Sequence, residues 1–231
     1  MLSEIKKISS LLLSVAFSSI GFIASITVTV LAAREVSSNP LFVGFPNAVG
    51  VGGAVLGTRM IYLISKNNSQ LNALAFTFLI GAFGGAIMFY SLIVDSFVLL
   101  LFGAFILGIG QSATLQTRYA ASFVASEKFK ATALSLAVWF SVFGSVFGPR
   151  MVGSYSNFFE NIFNSELIVG YVIALVGMLF AASSLFIFTS KKSILRSPSD
   201  LESESNNQNS NKKNGNLLSL LLVLNHFTMV V

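Results

Sequence analysis

Gly108-Ile-Gly-Gln-Ser-Ala-Thr-Leu-Gln-Thr-Arg-Tyr-Ala-Ala121 and Phe143-Gly-Ser-Val-Phe-Gly-Pro-Arg-Met-Val-Gly153 are the stretches whose reading decides how this chain folds. Both belong to apolar runs studded with glycine, and a short basic turn with Arg118, Lys128 and Lys130 joins them. In hydrocarbon every backbone N–H and C=O must find a partner inside the protein, which leaves helices and closed barrels as the spanning forms. Barrel strands alternate apolar and polar residues over about ten positions. These runs are continuously apolar, so they read as transmembrane helices that leave a membrane and re-enter it through the basic turn.

The rest of the chain repeats that pattern. Charged residues are absent from positions 8–33, 36–58, 67–94, 96–117, 131–149 and 167–190. Each window is long enough for a hydrocarbon core that takes about 20 apolar residues to cross. A mean hydropathy of +0.80, with 54% hydrophobic and 10% charged residues, excludes an ordinary soluble domain. Six complete spans are expected in a block over residues 1–190. Positions 191–216 hold mostly Ser, Asn, Lys and Glu and predict a disordered polar linker on the cytoplasmic side. The apolar run 217–231 is short for a crossing and reads as the truncated start of a seventh span, in which His226 is an incidental interfacial residue.

Basic residues set the orientation, because cytoplasmic loops carry the excess of Lys and Arg. With a cytoplasmic N-terminus, Lys6, Lys7, Arg59, Lys66, Arg118, Lys128, Lys130, Lys191, Lys192, Arg196, Lys212 and Lys213 fall at or near the inner face, leaving only Arg34 and Arg150 outside. The expected protein is therefore a multi-pass protein of the cell membrane, and its net charge of +5 is topological and implies no nucleic-acid partner. Loops are expected around residues 34–40, 65–70, 95, 122–130 and 154–166.

Within the fourth span Gln111, Thr114 and Arg118 are three and four residues apart and share one helical face, while Ser112 and Gln116 form a second, narrower stripe. Polar groups are costly in hydrocarbon, so such a face turns to a bundle interior or a water-filled cavity. Gln111, Thr114 and Gln116 are the candidate lining of a solute cavity. The same residues would also serve plain interhelical hydrogen bonding. Gly53/Gly57, Gly81/Gly85 and Gly144/Gly148 are GxxxG spacings, which let helix backbones approach where lipid supplies no hydrophobic drive. Pro40, Pro46 and Pro149 predict breaks at or near helix ends. One histidine and no cysteine leave no usual soft-ligand metal cluster. A phosphate-binding loop is absent, and no base in a span could activate a serine. No catalytic residue, metal or cofactor is expected, and the chain does not read as an enzyme.

Several of these residues together resemble the major facilitator superfamily, over roughly residues 8–190. They are Gly108-x-Gly110, Gln116-x-Arg118-Tyr119-Ala120-Ala121, Leu134-Ser135-Leu136 with Val138-Trp139, and Gly144-x3-Gly148-Pro149. They are similar to spans four and five of its drug-efflux-like members, whose fifth span carries a glycine ladder ending in Gly-Pro. Gly144, Gly148, Pro149 and Gly153 match that motif, with Ser135 and Val152 where glycines are expected. The resemblance implies the N-terminal half of a secondary transporter, built of two inverted three-helix repeats. It also implies cytoplasmic gate residues, here Gly57, Lys66, Arg118, Lys128 and Lys130. The family's aspartate and second glycine after span two are Ile61 and Ile64 here, and its span-four arginine is Ala104. Proton antiport is thus implied by the fifth-span resemblance and unsupported by titratable residues.

Two classes of function fit these observations. One is secondary transport of small organic solutes, as export by alternating access, with the lipid bilayer, a small-molecule substrate and a second six-helix half or another copy of the chain as partners. The other is a non-transporting membrane protein, a truncated half-transporter or a helical scaffold that binds a membrane partner.

Overall fold

The structure is a computed structural model and describes residues 2–37, 40–67, 69–163 and 165–189. The expected linker 191–216 and the run 217–231 lie outside the described residues. Six long α-helices account for nearly all of the rest: α1 (Leu2–Val36), α2 (Phe45–Asn67), α3 (Gln70–Ile93), α4 (Phe97–Val124), α5 (Lys130–Phe163) and α6 (Ile168–Thr189). Each contains a stretch long and apolar enough to cross a membrane. At about 1.5 Å per residue even α6 covers a core of roughly 30 Å, and α1 and α5 overrun it.

The connections follow from local chemistry. Two 3-10 turns, Pro40–Phe42 and Glu127–Phe129, sit between α1 and α2 and between α4 and α5. Ser69 and Ser96 cap α3 and α4, their hydroxyl oxygens accepting from the N–H groups of Asn72 (3.3 Å) and Leu99 (3.4 Å). Between α3 and α4 the chain reverses at Asp95, whose φ of 50° is left-handed, a region that Asp tolerates better than most non-glycine residues. The N–H of Ser96 then donates to the carbonyl of Ser91 at 3.0 Å and closes the turn.

Two expected loops are shorter than the sequence suggested. Residues 122–124 continue α4, and α5 runs on through Phe163, so most of the stretch 154–166 is helical. Pro149 does not mark a helix end but lies inside α5. Its ring forfeits one i→i−4 bond, and the turns on either side carry the helix through.

Close backbone approaches give the direction of every helix. Along α1, Phe17, Ala24 and Val28 meet Gly177 and Gly170 of α6 in reverse order, so the two are antiparallel. Gly144 and Gly148 of α5 rise alongside Ser19 and Ala24 of α1, a parallel pair. Gly81 and Gly84 of α3 lie against Gly110 and Leu107 of α4, and Gly50 and Gly57 of α2 against Gly108 and Ser112. The first pair is antiparallel and the second parallel. Each helix therefore runs opposite to its chain neighbour. α1 packs chiefly on α5 and α6, α4 on α2 and α3, and α3 meets α6.

Candidate functional site

The alternating directions gather the charges at the two ends of the bundle. At the end where α1 begins lie Lys66 in the last turn of α2, Arg118 towards the end of α4, and Lys128 and Lys130 at the start of α5. The opposite end carries Glu35, Asp95, Glu160 and Glu166, with Arg34.

Gln111, Thr114 and Arg118 run as one row along α4 from its middle towards the basic end. The Gln111 Oε1, Thr114 Oγ1 and Arg118 Nε atoms are all buried without a hydrogen-bond partner among the described residues. This is unusual for the helix that carries them. Ser112, Thr117 and Ser122 each donate to a carbonyl of their own helix, at 2.6, 2.7 and 2.7 Å to Ile109, Ala113 and Tyr119. Thr114 is 1% exposed yet makes no such bond. A buried hydroxyl without a partner costs roughly 1–3 kcal/mol, so the row holds unspent capacity for hydrogen bonding.

Gln116 does not join that row. It follows Ser112 by one turn, and Ser112 is on the side of α4 that meets Gly57 of α2. That side is tightly packed: a Cβ at Gly57 would run into the Ser112 hydroxyl and the Ile109 backbone. Gly57 thus sits within the α2–α4 contact. Lys66 and Lys128 are exposed. Lys130 forms an ion pair with Glu127 at 2.6 Å, across the turn between α4 and α5 and in reach of solvent. Of the glycine ladder, Gly144 faces α1 with the carbonyl carbon of Ser19 only 2.6 Å from where a Cβ would stand, and Gly148 faces the N–H of Ala24 at 3.0 Å. Gly153 meets nothing within 4 Å, so it packs against no helix. Pro149 is exposed beside them.

Ser14 of α1 went unnoticed in the sequence. It is fully buried, its Oγ also lacks a partner, and α1 packs directly on α4. Its signal was the spacing Ser10, Ser14, Ser18, four residues apart on one face. Ser18 donates to the carbonyl of Val15 at 3.2 Å, whereas Ser10 Oγ, like Ser14 Oγ, is buried without a partner. Nearer the acidic end the two chain halves are tied by the Tyr171 hydroxyl, which donates to Thr29 Oγ1 at 3.4 Å. Among the described residues there is no group of three His, Asp or Glu side chains that could hold a metal ion.

Two curated proteins of Bacillus subtilis (strain 168) are similar to this chain. The uncharacterized MFS-type transporter YdeG is 30% identical over 175 residues, which are 76% of this chain and 41% of that protein. The uncharacterized MFS-type transporter YddS is 30% identical over 183 residues, 79% of this chain and 42% of its own length. The chain thus spans about two fifths of the length of these relatives. No family model matches it, and no solved structure does. Six apolar helices with transporter relatives describe a multi-pass membrane protein, and by sequence the chain belongs with the MFS-type transporters of the major facilitator superfamily.

Proposed function

We propose that this six-helix block is one half of a secondary transporter that moves small organic solutes by alternating access, with a second six-helix unit completing the pathway. The observation that carries this is the α4 row, where three polar side chains on one face of one helix keep buried atoms without a partner among the described residues. Polar groups inside a membrane are costly, and a solute pathway is a common reason for them. Transporter relatives with more than twice the matched length support the second unit.

The packing supports two inverted three-helix repeats. Exchanging α1, α2 and α3 for α4, α5 and α6 maps the α1–α5 and α1–α6 contacts onto α4–α2 and α4–α3. A repeat of three spans necessarily returns with opposite orientation in the membrane. The basic end is taken as cytoplasmic, which puts the N-terminus inside the cell membrane. Arg118, Lys128, Lys130, Gly57 and Lys66, all on that side of the bundle, form its gate. Export is the direction because Gly144, Gly148 and Pro149 follow the efflux-like fifth-span pattern.

The test is reconstitution of the chain, alone and together with a second six-helix unit from an adjacent reading frame, with efflux of labelled small organic compounds measured from vesicles. Flux that appears only with the second unit, and that falls in Gln111→Leu, is the expected result. A well-inserted protein that passes no solute in either arrangement would instead identify a non-transporting scaffold.

A further inference from the structure

The α4 row also has a chemical preference, and it rests on the transporter reading above. We propose that Gln111, Thr114 and Arg118 bind a small organic anion, a carboxylate that also carries a hydrogen-bond donor.

The guanidinium of Arg118 keeps its positive charge in any protein environment. It is half-buried, its Nε has no hydrogen-bond partner, and it makes no ion pair among the described residues. Glu35, Asp95, Glu160 and Glu166 lie at the far end of the bundle, and Glu127 is engaged by Lys130. Among the described side chains no carboxylate is placed to neutralise Arg118, and an anionic ligand would supply that counter-charge. One turn along α4, about 6 Å away, the Thr114 hydroxyl is free to donate to the same anionic group. About one turn further on, the Gln111 Oε1 is an acceptor without a donor. The row therefore offers positive charge and donors at one end and an acceptor at the other, roughly 10 Å apart by helix rise. A hydroxy- or amino-carboxylate of modest length satisfies all three atoms at once. A neutral or cationic solute leaves the buried Nε of Arg118 without a partner, which costs more than pairing it.

The test uses the purified full chain in neutral detergent, with thermal unfolding followed while 4-hydroxybenzoate, the neutral 4-hydroxybenzamide or the cation tyramine is added. Saturable stabilisation by 4-hydroxybenzoate alone is expected. Arg118→Gln and Thr114→Val should each weaken the apparent affinity by about tenfold or more, the usual cost of losing a hydrogen bond to a charged group. Arg59→Gln, which removes an exposed charge from the cytoplasmic half of α2, should leave it unchanged. Equal shifts with all three compounds would overturn the site. So would an anion effect that survives in both variants, or stabilisation by phosphatidylglycerol with no effect of the solute. Anion binding without vesicle flux would uphold the site and refute the transport reading. Flux indifferent to solute charge and to Arg118→Gln would uphold transport and refute the site.

Discussion

Thr114 shows how much one side chain of α4 depends on what surrounds it. Its neighbours Ser112 and Thr117 spend their hydroxyls on carbonyls of the same helix, whereas Thr114 is as deeply buried and spends its own on nothing. If that hydroxyl is kept for a solute, Thr114→Val should stabilise the solute-free protein by about 1 kcal/mol, since an unpaired buried group is removed without changing shape. Solute transport should fall in the same variant. Thermal unfolding and vesicle flux measured on one preparation check both, and a destabilised but fully active variant would mean that Thr114 merely packs. The row itself was legible as a spacing of three and four residues. What spacing cannot reveal is which hydroxyl bonds back to its helix, because that choice depends on the helices packed around it. Ser14, with the same open hydroxyl, was hidden for that reason.

At the scale of the element, α5 is where sequence and structure differ most. Pro149 reads as a break near a helix end and residues 154–166 as a loop, yet the helix continues to Phe163. A proline costs a helix one bond and a local clash, and a long apolar helix with satisfied turns on both sides carries that cost. The ladder on α5 divides by contact. A leucine at Gly148 would have to displace the backbone of α1 at Ala24, so Gly148→Leu should abolish flux while the chain still inserts into membranes, as read by membrane fractionation beside the flux assay. Gly153 has open space, so Gly153→Ala should leave flux intact and stabilise the helix by up to about 1 kcal/mol, the difference in helix propensity. A glycine motif in the sequence marks positions where helices could approach. Which of them do approach follows from the neighbours, and in lipid the exposed face is as apolar as the packed one, so hydropathy cannot separate the two. Only 22% of the α5 segment is buried in the bundle, against 56% for α1 and α6.

Across the whole molecule, the six charge-free windows each became one helix, because the charge-free length that crosses a bilayer depends on its thickness and little else. Alternating direction then brought basic residues to one end and acidic residues to the other. Helix order in space was not legible, since it is written in backbone approaches such as Gly81 with Gly110 and Gly50 with Gly108. An alanine at Gly108 would meet the carbonyl of Gly50 directly, so Gly108→Ala should part α2 from α4 and lower the unfolding temperature, in contrast to Gly153→Ala.

The central claim, that the α4 row faces a solute pathway, is open to a direct test because the chain has no cysteine and single-cysteine variants need no altered background. Gln111→Cys, Thr114→Cys and Phe102→Cys would be exposed in native membranes to a membrane-impermeant thiol reagent, with and without 4-hydroxybenzoate. Phe102 lies on an outer, apolar face of α4, 56% exposed. Gln111→Cys and Thr114→Cys should react from water and be protected by the solute, while Phe102→Cys stays inert. Rows as unreactive as Phe102→Cys, with or without solute, would contradict it.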